Sequence, residues 1–249
     1  LMTQVVARRP ARQHLANLAN MEYDYGLHKE ARVHLTQLLD RFPSDDFVRS
    51  KLAEVELLYG DAHIAETLYA TLVSQTHGAV EIGNLGLAQE LLGKYDEATV
   101  SLREAVHMVP DAYGYLNLAD CEKMAGRKAV ADSLYRLVLQ RVASDPNPDE
   151  LTNLRMRAQS LAHLGYKEEA ATVIQGAIRQ DPENAWTFYA ASVVYCAIGE
   201  STSALVNART AIDKGVQARW FRIGLFDSLR DAHEFQALVS QDPVVSRSD

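Results

Sequence analysis

The sequence predicts an all-α fold, an α-solenoid of about six helix-turn-helix units closed by a C-terminal capping helix. Three observations carry that expectation. A glycine followed five residues later by an alanine recurs at Gly26/Ala31, Gly60/Ala65, Gly93/Ala98, Gly126/Ala131, Gly165/Ala170 and Gly199/Ala204, in steps of 34, 33, 33, 39 and 34 residues. Thirteen residues after each glycine stands an aliphatic side chain (Leu39, Val73, Val106, Leu139, Ile178, Ile212), and seven before it a small one (Ala19, Ala53, Gly86, Ala119, Ala158, Ser192). Apolar residues fall at helical spacing on both sides of each glycine, and nothing reads as a strand. A period of this length is one supersecondary unit that buries its apolar face only by stacking on its neighbours.

Taken in order, residues 1–11 come first. Pro10 lies 33 residues before Pro43, so this segment reads as the end of a second helix from a preceding repeat, or as an N-terminal cap. From the first reading, a fragment of a longer polypeptide is expected. Residues 12–216 hold the six units, each a helix A, a turn permitted by glycine, and a helix B. Pro43, Pro110 and Pro182 lie 17 residues past a turn glycine, where a missing N–H ends helix B. Ser44, Asp45, Asp111 and Asp149 stand where helix N-caps are wanted. The polar segment VASDPNPDE, near 142–150, causes the 39-residue step; it either lengthens the helix before it or bends the array into lobes of four and two repeats. Periodicity fails after Gly215, and 217–249 is expected to be the C-terminal cap and tail, helical over 227–239. Trp220, Phe221, Leu225, Phe226, Leu229, Phe235 and Leu238 supply the apolar surface that closes the last repeat.

The 34-residue step, the leucine-small pair, the turn glycine, the alanine and the terminal proline together resemble the tetratricopeptide repeat family over about residues 12–216. That resemblance implies a right-handed superhelix whose A helices line a concave face that receives a peptide or a partner helix. The chain departs from the family pattern four residues before the turn glycine. An aromatic is common there, but this sequence has Glu22, Glu56, Gln89, Glu122 and Leu161, and only Tyr195 conforms, so looser packing of helix A is expected. The run FDSLRDAHEFQAL, 226–238, resembles the tail that ends the repeat region of many bacterial multidomain signalling proteins, which implies a partner-recruiting or sensory module.

Composition narrows the function. With 33 acidic and 25 basic residues the net charge is −8, and no basic stripe offers a nucleic-acid surface. There is no run of about 18 apolar residues, so no membrane insertion is expected, and the opening segment lacks the apolar stretch of a signal peptide. A soluble, cytoplasmic rather than periplasmic, protein is the expectation. Cys121 and Cys196 lie inside helix A segments and read as small buried residues, without metal-ligand spacing. The histidines are scattered, and no nucleophile, base and stabiliser come together, so no enzyme activity, cofactor or metal is expected.

The resemblance transfers a groove by register, to positions 13, 10 and 6 residues before each turn glycine. The latter half of the array is richest in groups that bind. Tyr113, Trp186 and Tyr189 offer flat apolar area; Asn117, Asp120, Arg155 and Gln159 offer oriented polar contacts, with Arg155 suited to grip a carboxylate in two-pronged fashion. A protein or peptide segment in this groove is the expected partner, with regulatory small-signal binding or homo-oligomerisation as the alternative. The carboxylate clamp of chaperone-tail receptors is not expected, because its first lysine position is Ala16.

Overall fold

The computed structural model describes residues 2–240, with side chains from Arg12 on. Its helices run in chain order as α1 Met2–Asp24 with α2 His28–Arg41, α3 Asp46–Tyr59 with α4 Ala62–Thr76, then α5 Ala79–Leu91 and α6 Tyr95–Met108. There follow α7 Ala112–Met124 with α8 Lys128–Ala143, α9 Leu151–His163 with α10 Lys167–Gln180, and α11 Ala185–Ile198 with α12 Ser201–Asp213. No strand occurs among the described residues. The chain forms two compact units, Leu1–Leu92 and Gly93–Asp249. The division falls between α5 and α6, not at the polar segment near 142–150. That segment lengthens α8 to 16 residues and adds a loop, while α8 and α9 stay packed together within one unit.

The expected helix end at Pro10 is absent: α1 continues through it as one helix. Pro43 is followed at once by Ser44 and by Asp45, which caps α3 by accepting from the Val48 N–H, whereas Pro10 is followed by Ala11 and Arg12 with no turn or cap residue to redirect the chain. Asp111 caps α7 and Asn184 caps α11 in the same way. Ser44 and Asp149 do not cap; Glu150 precedes α9 as its N-cap residue, without a side-chain hydrogen bond.

Five of the six turn glycines carry positive φ, between 72° and 88°. At Gly126 the turn closes with Arg127 N–H donating back to the Glu122 carbonyl, the bond that satisfies a terminal helix carbonyl. Gly60 has a different reason to be glycine. Its φ is negative, and the Asp61 N–H beside it donates to the Glu56 carboxylate at 2.7 Å, so a Cβ at position 60 would run into that carboxylate. The small and alanine columns are packing contacts: Ala19, Ala53, Ala119 and Ala158 are completely buried, as are Ala31, Ala65 and Ala98.

The glutamates that replace the family's aromatic do not loosen helix A. Glu22, Glu56 and Glu122 are buried, and each is tied to a basic side chain. Glu56 accepts from Arg32 of α2 at 2.6 Å. Glu122 accepts from Arg103 of α6 and from Arg127 at its own turn. Glu22 pairs with His34 at 2.7 Å. A carboxylate thus takes the aromatic's place by reaching the preceding or the following second helix.

The cap is not the single helix expected over 227–239. Two 3-10 turns, Ala218–Phe221 and Gly224–Leu229, precede α13, His233–Val239. Trp220, Phe221, Ile223, Phe226, Leu229, Phe235 and Leu238 are all buried. The tail residues 241–249 lie outside the described residues.

Candidate binding groove

The expected groove positions separate into buried and accessible sets within unit 93–249. Tyr113, at the start of α7, is 56% exposed, and Trp186, at the same position of α11, is 36% exposed. In unit 1–92 the matching positions of α3 and α5 are Phe47 and Val80, also exposed. Side chains this apolar in one repeating column, each in the first turn of a helix A, are a feature that folding alone does not call for.

Between Tyr113 and Trp186 in register stands Arg155 of α9. Its guanidinium donates to Thr152 Oγ1 at 3.0 Å and to Asn184 Oδ1 at 3.4 Å, so two neighbouring helix starts orient the fork. Burial pulls its pKa down, and the nearby Tyr113, Glu150 and Asp181 only partly offset that. No carboxylate among the described residues pairs with it directly. A half-buried, oriented guanidinium without an ion-pair partner is matched by an incoming carboxylate. Asn117 is half-buried one turn further along α7 than Tyr113.

Asp120 and Gln159, expected to line the groove, are buried instead. Gln159 donates to Asp120 Oδ2 at 2.5 Å and the Tyr135 hydroxyl donates to Oδ1 at 2.7 Å. His163 stacks on Tyr135 with centroids 4.7 Å apart, its Nε2 3.8 Å from Asp120, and neither ring nitrogen makes a hydrogen bond. The register placed both residues on the right helices but did not reveal that α8 supplies Tyr135 to cover them. These groups have the residue types of acid–base chemistry, yet they are sealed within the stack.

That enclosure has a measurable consequence. Burial pushes Asp120 up to about 7 from an ordinary 3.8, against the lowering effect of its two hydrogen bonds and Lys123, and burial pulls His163 down to about 3 from 6.5. An acid raised in the fold stabilises fully below its unfolded pKa, and that stability is lost as pH rises through the folded one. The neutral histidine acts oppositely, costing stability as pH falls below 6.5. Asp120→Asn removes the first effect alone. The stability of the variant relative to wild type is therefore expected to rise between about pH 4 and 7, by at most about 1.4 kcal/mol per pH unit. Urea denaturation at several pH values measures this, and a constant difference between the proteins would refute a protonated Asp120.

Tyr189, also expected in the groove, is half-buried beneath the chain's own C-terminal segment. Its ring lies 5.2 Å from Phe221 and 5.9 Å from Phe226, and its hydroxyl donates to the Trp220 carbonyl at 3.4 Å. Trp186 meets Trp220 edge-on at 5.6 Å. Further along α11, Cys196 Sγ donates to the Leu225 carbonyl at 3.4 Å. The segment also reaches α6 and α7, where Gly224 N–H donates to Tyr95 Oη at 3.1 Å and a Cβ at position 224 would lie 3.1 Å from Met124 Cγ. The α11 side of the groove is thus filled from within, leaving Tyr113, Thr152, Arg155 and the outer face of Trp186 accessible. Thr152 lies in the register column of Tyr113 and Trp186, but its hold on Arg155 and that of Asn184, a helix cap, are visible only in the fold.

Among the described residues there is no cluster that would hold a metal ion and no helix long and apolar enough to cross a membrane. No protein-family model matches the sequence, and neither does any curated protein. Solved structures do match. The chain is similar to PilF of Pseudomonas aeruginosa, with a TM-score of 0.53 and 18% identity over 94% of this chain and 99% of that one. It is similar to PilW, a type IV pilus biogenesis factor, with a TM-score of 0.55 and 15% identity over 88% and 98% of the two chains. A tetratricopeptide repeat protein from Parabacteroides merdae matches with a TM-score of 0.53 and 12% identity over 94% and 91%. At these identities the likeness concerns the fold.

Proposed function

We propose, from the premise that this chain folds as a solenoid of tetratricopeptide-type hairpins, that it is a non-catalytic scaffold that binds a protein or peptide segment through its A-helix face. In unit 93–249 the ligand presents a carboxylate to Arg155, flanked by an apolar or aromatic side chain against Tyr113 and Trp186. The single observation that carries this reading is the Arg155 guanidinium, oriented by Thr152 and Asn184 yet unpaired with any described carboxylate, beside exposed aromatic surface. Asn117 lies within the same face; Asp120, Gln159 and Tyr189 serve it by holding the helices in place. A partner-recruiting role within a larger protein is consistent with this site, as is the tail resemblance.

Selection of 12-residue peptides from a random display library on the wild-type chain tests the proposal. Enriched peptides are expected to carry an acidic residue or a free C-terminus next to a large apolar residue. Arg155→Ala and Tyr113→Ala are each expected to weaken them at least tenfold, about the effect of losing a charged hydrogen bond or an aromatic anchor. Tyr113 is the better aromatic to replace, because Tyr189 also supports the cap. Peptides that bind both variants as tightly as wild type would refute the site.

A further inference from the structure

Within unit 93–249, Asp120 of α7 is a point where three helices meet through side chains. The Tyr135 hydroxyl of α8 donates to its Oδ1 at 2.7 Å, and Gln159 Nε2 of α9 donates to its Oδ2 at 2.5 Å. Helix α7 also packs directly on α9. Tyr113 stands on the first of these helices and Arg155 on the third, so the two ends of the proposed ligand site sit on elements that Asp120 ties together.

The tie lacks the cation that other acids in the chain have. Glu54 stands at the same register position of α3, six residues before its turn glycine, and there the carboxylate is partly exposed and pairs with Lys51 at 3.0 Å. The buried Glu56 and Glu122 accept from arginines. Asp120 is buried, and no lysine or arginine among the described residues pairs with it. His163 Nε2 of α9 is 3.8 Å away and makes no hydrogen bond, and the exposed Lys123, one turn along α7, reaches Asp120 only through its charge. Of the other elements packed on α7, α6 brings Arg103, paired with Glu122, and the turn Gly224–Leu229 brings Asp227, paired with Arg230. A carboxyl so enclosed keeps its proton, because an unpaired charge in that place is costlier than the neutral acid.

We infer that Asp120 is a positioning residue for the groove, a proton-held joint that keeps α7 and α9, and with them Tyr113 and Arg155, at the spacing the ligand needs. Its effect on binding rests on the proposed groove, whereas the joint itself is a property of the fold. Once ionised, the carboxylate draws in water or Lys123, and either enters by parting α7 from α9. Burial pushes the acid up to about 7 while His163 stays neutral, so the joint holds below that pH and lets go as pH rises through it. A ligand that needs the closed joint therefore favours the protonated form and binds more weakly in alkaline solution.

Hydrogen–deuterium exchange of wild type and Asp120→Asn, compared at equal pH, tests the joint. Asparagine keeps hydrogen-bonding atoms toward Tyr135 and Gln159 but cannot ionise. Equal exchange over α7 and α9 at about pH 6, and exchange at least about threefold faster in wild type at about pH 8.5, are expected. A fluorescein-labelled peptide selected by display on the wild-type chain at about pH 6 reads the groove. Its binding to wild type is expected to weaken at least about fivefold at pH 8.5, and its binding to Asp120→Asn less than about twofold. Equal exchange in the two proteins at the higher pH, or one pH profile of binding shared by both, overturns the inference and leaves the groove standing. Failure to select any peptide that Arg155→Ala weakens sinks the groove instead, and the exchange comparison still decides the joint.

Discussion

Phe221→Ala is expected to destabilise unit 93–249 by about 3–5 kcal/mol, the range for truncating a fully buried phenylalanine and leaving a cavity. Phe221 has no exposed surface, and its ring contacts Tyr189 on one side and Phe226, 5.0 Å away, on the other. Its loss therefore undoes both the contact of the cap with α11 and the packing within the cap. The two tryptophans of the chain, Trp186 and Trp220, meet at this junction, so their emission reports on it selectively. A red-shifted emission and a lower urea midpoint are the expected signs. Neighbouring hairpins hold one another up in a repeat array, so the loss should spread to the last two hairpins before it reaches the first. A variant with unchanged emission and midpoint would show that the segment 218–229 contributes little to the stability of the unit.

The second large effect concerns Glu122. Its side chain is completely buried, while its partners Arg103 and Arg127 reach it from the surface. Arg127 also donates to Thr99 Oγ1 and to Asp96, both at 2.6 Å, and so joins α6 to the turn after α7. The double variant Arg103→Ala, Arg127→Ala leaves a carboxylate enclosed without a cation. A loss of about 3–5 kcal/mol is expected, the range for breaking a buried pair by removing one side. Glu122→Leu should cost much less and is expected to be near neutral, because an apolar residue of similar volume needs no compensating charge. Chemical denaturation of the three proteins decides the matter. Equal losses for the arginine double variant and Glu122→Leu would mean that the side chain is needed for its hydrogen bonds and not merely compensated for its charge.

The sequence made much of this molecule legible because a repeat prints the same physical requirement six times. Gly126 and its counterparts mark turns that need positive φ, Ala119 and its counterparts mark helices in close contact, and Pro110 marks a helix end. Pro10 misled because a proline stops a helix most effectively where cap and turn residues support it, and Ala11 and Arg12 provide neither. The proposed groove was half legible. Register alone puts Tyr113 and Trp186 in one column and Arg155 three residues further along its helix, positions that stay at least partly accessible, since helical periodicity fixes which side a residue takes. Register could not say that Tyr135 from another helix would close over Asp120 and Gln159, or that residues 218–229 would return to cover Tyr189.

By itself, then, the sequence determined the all-α repeat, the positions of its turns, and the register column in which groove side chains are expected. These follow from local periodicity and backbone preference, which need only neighbouring residues. Tertiary structure decided which members of that column stay accessible, that buried glutamates take the place of aromatics through arginines of adjacent helices, and that the cap is two 3-10 turns and a short helix. Those outcomes depend on contacts between residues far apart in the chain, such as Tyr95 with Gly224 at a separation of 129, and no local pattern encodes a partner that distant.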